Sequence, residues 1–430
     1  MNSYTQQFQM FFYCSSVLGL FFIPFRDDFL LLFVLYLISV GMFFSTIIKK
    51  NNFSFKSLGY LFIFLAIVSV FSTPVLSNDF YRFLWDGELF VRGVNPYDYT
   101  PMDYAIQREF FSTEYYMQLY DGMGNLSQQH YSCYPPVSIY LFGFCSIFTN
   151  DLHANIMIMH VFMLLFQLPG IYFGKKICEI IGVNKKCIFL LFLHPLYLVE
   201  VLGNLHFEGV MIPLLLTFLY FFHKKLIFIS SFFMALAIHI KLIPILFFGA
   251  IFSFSSPKKV LKIFFFTVLL SLIFSLNLFD KNNFFNFLES LKLYFGKFEF
   301  YSFVYVYFQR INLQFYLTIL NVLALGASVV WIVKKKIPWQ NAMPIILTVF
   351  YLFSGTVHPW YLTFVLLFAP FSQLKSVLIY PTVGFVSYLF YDIGDGFALR
   401  FVYMVSYLIV VFYLIEDLKK MRIYAIEKAK

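Results

Sequence analysis

The sequence predicts an all-α, polytopic membrane protein with about 13–14 transmembrane helices, and three observations carry that prediction. Mean hydropathy is +0.78, only 12% of the residues are charged, and apolar runs recur along the whole chain between short polar connections. A soluble domain carries about 25% charged residues, twice what is found here. No internal repeat or low-complexity linker interrupts the pattern, so residues 1–430 read as one membrane domain.

The apolar runs fall at 8–24, 29–48, 58–77, 154–174, 187–203, 207–223, 226–240, 242–254, 258–278, 313–333, 341–357, 360–374, 376–391 and 399–416. Several are shorter than a full span and need neighbours to cover them. Lysines punctuate alternate connections: Lys49, Lys50 and Lys56; Lys175, Lys176, Lys185 and Lys186; Lys224 and Lys225; Lys258, Lys259 and Lys262; Lys334, Lys335 and Lys336; and the tail from Lys419. The positive-inside rule makes these cytoplasmic, and both termini with them. The apolar stretch "YPPVSIYLFGFCSIF" would invert the lysines at 175–186 if it crossed, so it is expected to lie on or dip into the outer leaflet. Its two prolines suit a helix start.

The N-terminus "MNSYTQQFQM" has no basic region, so the first helix is expected to stay as an anchor rather than be cleaved. Five cysteines, odd in number and mostly inside apolar runs, form no disulfide or metal framework. A net charge of +9 would suit nucleic acid in a soluble protein. Here the sorting of lysine to one side accounts for it, and no nucleic-acid partner is expected.

The other side has a different character. Between residues 57 and 174 there is no lysine, and the first large outer loop, 78–153, holds nine acids against three arginines. A second outer loop spans 280–312. Six of the seven arginines (Arg26, Arg82, Arg92, Arg108, Arg310 and Arg400) fall on this side. Arginine offers a planar fork that grips phosphate with two hydrogen bonds, whereas lysine is a point charge. The competing reading is that topology sends lysine inside and the few arginines fall where they must.

The first loop opens with "NDFYRFLWDGELFVRGVNPYDYTP". Asp79 stands where an apolar helix surfaces, a setting that can hold a carboxylate ready to take a proton. It can equally serve as the cap of the next helix, and the two roles are compatible. In a helix Arg82 and Asp86 would share its face. Gly93, Asn95 and Pro96 read as a turn, with Tyr97 and Tyr99 as aromatic walls. Asp86 and Glu88 stand two apart, a spacing that most often marks a solvated loop, so no metal is expected.

Three further turns bring polar groups to the same side. "LGNLHFEGVMIP" carries His206 and Glu208 at lipid depth, where ionisable residues are functional candidates by default; the alternative is a mutually satisfied structural pair. "AIHIKLIP" carries His239 and Lys241, the latter a phosphate charge or a snorkelling side chain. "SGTVHPWYLTF" carries His358, Trp360 and Tyr361, of which the two aromatics also suit an interfacial belt. The shared side of these turns is the signal, more than any one of them.

These blocks resemble a known family. "DFYRFLWDGELFVRGVNPYDYTP" is similar to the first outer loop of GT-C glycosyltransferases that use polyprenyl-phosphate sugars, most of all bacterial polyprenyl-phosphomannose-dependent mannosyltransferases. "YPPVSIYLFG", "HPLYLVEVLGNLHFEG" and "HPWYLTFVLLFAP" resemble later blocks of such proteins in the same order, over about 79 to 370. The family's Asn-Asp after the histidine is Phe207-Glu208 here, and its Asn-Pro is His194-Pro195. Those departures bear on the sugar and the acceptor more than on the reaction type.

The resemblance implies a GT-C-like glycosyltransferase moving a hexose, mannose favoured, from a polyprenyl-phosphate-sugar donor to a hydroxyl of a glycan or glycolipid, with inversion. Asp79 matches the carboxylate that serves as base. Tyr81, Arg82, Asp86, Asn95, Tyr97, His206, Glu208, Lys241, Arg310, His358, Trp360 and Tyr361 are the donor- and acceptor-binding candidates, and Arg400 is a further cation for the phosphate. The implied setting is the bacterial inner membrane, among its lipids, with the site facing the periplasm. The rival expectation is a lipid-linked sugar flippase or transporter without transferase chemistry, which would place charges near the midplane of several spans.

Overall fold

The computed structural model describes residues 3–23, 26–48, 53–107, 113–276, 278–296 and 298–427. Within them the chain is helical, without a strand, and one isolated bridge pairs Phe300 with Thr356. Lys49, Lys50 and Arg108 of the charge pattern lie outside the described residues, as do Lys428 and Lys430 of the tail.

Helices α1 (Ser3–Phe22) and α2 (Phe29–Met42) form an N-terminal hairpin. Asp28 sets the start of α2, its Oδ1 accepting the Leu31 N–H at 3.2 Å, and α2 runs on into a π turn, Phe43–Ile48. Ser54 likewise caps α3 (Phe55–Ser69), accepting the Ser57 N–H at 3.0 Å. Such side chains satisfy N–H groups that a helix start leaves unpaired. Then come four shorter helices: α4 (Asp79–Val91), α5 (Pro101–Gln107), α6 (Glu114–Gln128) and α7 (Pro136–Ser146). With 11 residues, α7 cannot cross a bilayer that asks for about 20.

The long helix α8 (Leu152–Ile180) returns the chain through the body. Two short helices come next, α9 (Phe189–Phe192) and α10 (Pro195–Tyr197), with the chain from Lys185 to Gly203 bent by 55° between them. The bend has a local cause. Pro195 cannot donate to the preceding turn, and His194 ends one helix and caps the next, its Nδ1 accepting the Leu196 N–H at 3.2 Å. Helices α11 (Glu208–His223), α12 (Ile227–Ile240), α13 (Phe247–Ile251) and α14 (Pro257–Ser275) complete this half. The second half holds α15 (Lys281–Gly296), α16 (Val304–Arg310), α17 (Gln314–Lys335), α18 (Trp339–Leu352), α19 (Pro359–Leu366), α20 (Ser376–Gly384), α21 (Leu389–Ile393) and α22 (Phe397–Glu427).

Among the described residues five helical stretches are long and apolar enough to cross a membrane: Phe29–Ile48, Leu152–Ile180, Phe315–Lys335, Ser376–Ile393 and Phe397–Met421, with the bent pair as a sixth. Their outward side chains include Leu30, Phe315, Val322 and Phe412, which suits a surface whose solvent is hydrocarbon. Other apolar runs are divided among shorter helices by prolines and by 3₁₀ or π turns, so apolar length along the chain exceeds the length of single straight helices.

The crossing of α4 on α7 fixes where Asp79 sits, because α4 begins with that residue. Glycine makes the crossing close. A methyl group on Gly87 would stand 2.5 Å from the Phe142 carbonyl oxygen, and one on Gly143 2.6 Å from the Phe90 ring. Backbone cannot yield as a side-chain tip can, and overpacking of this kind typically costs about 1–3 kcal/mol. Gly87→Ala is expected to lower the melting temperature of the purified protein and its yield. A variant that melts with the wild type would show that the two helices are free to separate.

Candidate functional site

A cavity of 610 Å³ opens where these short helices meet the second half of the chain. Its lining includes the polar groups Arg26, Asp79, Lys241 and His358 and the apolar side chains Val322 and Leu325 of α17. Since α17 holds a stretch long and apolar enough to cross a membrane, one cavity has both charged groups and a lipid-facing helix in its lining.

Asp79 is held there by its neighbours in sequence. The Asn204 Oδ1 accepts the Leu76 N–H at 3.0 Å, and the Asn78 amide donates to the carbonyls of Gly122 and Met123 at 3.2 and 3.0 Å. The Asp79 N–H donates to Ser77 Oγ at 3.2 Å. These bonds fix the first turn of α4 while the Asp79 side chain remains 31% exposed. Burial pushes its carboxyl up to about 6, against the opposing pull of the Lys241 charge and with Glu208 adding to the rise. A carboxylate so placed is a stronger base than an exposed one.

His206 stands behind Asp79, and the backbone that delivers it is unusual. Residues Leu198–Gly203 form a π turn, a feature frequent at functional sites. Leu205 then takes a left-handed φ of +59°, which costs a bulky residue free energy. The result points His206 between two acids. Its Nδ1 lies 3.9 Å from Asp79 Oδ2, its Nε2 3.5 Å from Glu200 Oε2, and its backbone N–H donates to the Glu200 carbonyl at 3.1 Å. Tyr388 donates to the other oxygen of Glu200 at 2.8 Å.

A row of stacked rings leads away from His206. The Trp360 and His206 ring centroids are 3.8 Å apart, those of Trp360 and His358 4.2 Å apart with planes 3° apart, and those of His358 and Phe300 4.5 Å apart, while Tyr391 is tilted by 41° at 5.7 Å from Phe300. The Arg26 guanidinium closes the row, 4.7 Å over the Tyr391 ring. Two backbone bonds brace it, Phe300 N–H to Gly355 O at 3.1 Å and Val357 N–H to Phe300 O at 2.9 Å. Burial pushes both imidazoles down, His358 to about 3, so at neutral pH they act as uncharged rings. Lys241 lies across the cavity, ion-paired to the buried Glu208 and 4.9 Å over the Tyr361 ring.

Of the residues singled out in the sequence, Asp79, Lys241, His358, Trp360 and Tyr361 line this one cavity, and His206 and Glu208 touch its lining. Others are engaged elsewhere. Arg82 and Asp86 do not share Asp79's outlook. They bond to each other at 2.8 Å, Arg82 also donating to the carbonyls of Ser127 and His130 and Asp86 accepting from Ser132 Oγ at 2.7 Å. They tie α4 to the end of α6 and to the chain between α6 and α7. Asn95 donates to the Leu278 carbonyl and Tyr97 to the Tyr134 carbonyl, while Tyr81 packs on Phe80 and Gly122. Arg310 is exposed away from the cavity and Arg400 pairs with Asp395.

Sequence reasoning misses Glu200, Phe300, Tyr388 and Tyr391. A signal exists for Glu200, an acid inside the apolar run "HPLYLVEVLG"; single aromatics among 63 Phe and 31 Tyr give none. Among the described residues no group of three or more His, Cys, Asp or Glu side chains is arranged to hold a metal ion. The Asp86–Glu88 pair is occupied: Asp86 as above, and Glu88 by the Tyr116 hydroxyl at 3.0 Å and the Arg92 Nε at 3.7 Å.

The helices describe a polytopic integral membrane protein, with a carboxylate, cations and aromatic rings around one cavity. The family model for the alpha-(1->6)-mannopyranosyltransferase N-terminal domain, the MptA_B family, matches residues 30–255. That is just over half of the chain, and the chain belongs to this family. No curated protein matches it. The protein is therefore a membrane glycosyltransferase of a mannosyltransferase family, and the family supplies no support for a flippase or transporter.

Proposed function

We propose that the protein transfers a hexose, mannose first among candidates, from a polyprenyl-phosphate donor to a hydroxyl of a glycan or glycolipid on the outer face of the bacterial inner membrane, with both termini in the cytoplasm. The observation that carries the donor class is the lining of the cavity, in which Asp79 and two cations stand with apolar side chains of the lipid-facing helix α17. A sugar nucleotide would have no use for the apolar side chains of that lining. In the reaction the acceptor oxygen attacks the anomeric carbon while its proton passes to Asp79. The bond between that carbon and the phosphate oxygen breaks, and the phosphate leaves on its lipid with inversion at carbon. His358, Trp360 and Tyr361 line the cavity with Asp79 and would form an aromatic wall beside the sugar.

The reaction needs no divalent metal in this reading, since the cations would meet the leaving charge and the Asp-Gly-Glu acids are engaged. The test is to incubate purified protein with a panel of polyprenyl-phosphate hexoses and pentoses and an acceptor glycan, tracking release of the lipid phosphate, with and without EDTA. Release from the mannose-bearing lipid at equal rates in both arms is expected. Release from no lipid-linked sugar would remove the donor class, and an EDTA-sensitive rate would restore a metal to the mechanism.

A further inference from the structure

We infer that Arg26, at the tip of the N-terminal hairpin, binds the phosphate of the lipid-linked donor; the inference rests on the donor class proposed above and adds a residue to it. Two basic side chains line the cavity, Arg26 and Lys241. Lys241 is already ion-paired to Glu208, which is buried, so its charge is balanced within the fold. Arg400 is balanced by Asp395, and Arg310 lies outside the lining.

Arg26 is different. Among the described residues no acid lies within 4.0 Å of its guanidinium, and the contact it makes is with a ring face, Tyr391 at 4.7 Å. A ring face holds a guanidinium flat by attraction to its π electrons and leaves the N–H edge, the part that forks onto phosphate oxygens, uncommitted. Tyr391 also lies within electrostatic reach of Asp79, and it begins the row of rings that ends at His206 beside Asp79. Cation, base and aromatic rings thus line one cavity, the set of groups that a phosphate-linked sugar would meet.

Arg26 also precedes residue 30, where the family match begins, so the hairpin would bring to the site a group that the matched segment does not contain. Asp27 and Asp28 come directly after Arg26, and the Oδ1 of Asp28 is committed to capping α2 at Leu31 N–H.

Binding separates this inference from the reading it rests on. Purified wild type, Arg26→Gln and Arg26→Lys are titrated with a short-chain polyprenyl monophosphate and, separately, with the uncharged polyprenol of the same length. Wild type is expected to prefer the phosphate. Arg26→Gln is expected to weaken phosphate binding on the order of ten- to a hundredfold and leave polyprenol binding unchanged, with Arg26→Lys in between. If wild type discriminates and Arg26→Gln binds the phosphate equally well, Arg26 has no such role while the donor class stands. If wild type does not discriminate, the donor class falls and the inference with it.

Discussion

Asp79→Asn is expected to reduce turnover by about 10²–10⁴-fold, the range general-base assistance usually contributes, with yield and melting temperature unchanged or improved. The fold should tolerate it because the raised value of Asp79, about 6, means that the native structure disfavours the charged form. A group whose folded value is raised binds its proton more tightly in the native state, so its ionisation costs stability as pH climbs from about 4 through 6, and a neutral amide removes that cost. Wild-type activity carries the matching signature. The base must be deprotonated, so kcat/KM should fall tenfold per unit below about pH 6 and level off above it, and the residual activity of the variant should lack that limb. Full activity in Asp79→Asn, or an unchanged acid limb, would take Asp79 out of the proton transfer.

Arg82→Met should damage the protein in the opposite sense, through stability first. Arg82 is 4% exposed and Asp86 fully buried, and removing one partner leaves a buried carboxylate answered by Ser132 alone among its side-chain partners here. Breaking a buried pair in this way costs about 3–5 kcal/mol, whereas replacing both charges is often close to neutral. A large fall in melting temperature is therefore expected for Arg82→Met, with much of it recovered in Arg82→Met/Asp86→Asn. If the single variant melts with the wild type and loses donor binding instead, Arg82 belongs to the site and not to the scaffold.

The two variants show what was legible in the chain. Membrane class, and the presence of polar groups at separate breaks between apolar runs, could be read from composition and spacing, because lipid solvent makes every charge conspicuous. Asp79, Lys241, His358, Trp360 and Tyr361 fall at such breaks, and the structure gathers them around one cavity. What a single sequence hides is which charges on α4 spend themselves on one another. The i,i+4 spacing of Arg82 and Asp86 was visible, but the carbonyls of Ser127 and His130 that hold Arg82 lie 45 and 48 residues further on. Glu200 sat in plain view inside an apolar run. Phe300 and Tyr391 could not have been picked out, since their importance lies in what they stack against.

The bridge between Phe300 and Thr356 has a mechanical meaning. Phe300 gives its ring to the stack, and its backbone also holds the turn that carries His358. Lifting the chain at Phe300 would therefore pull one ring from the row and loosen the anchorage of the next. A backbone-distorting change at Glu299 or Ser302, beside this bridge, would reach the pocket without touching a ring that lines it.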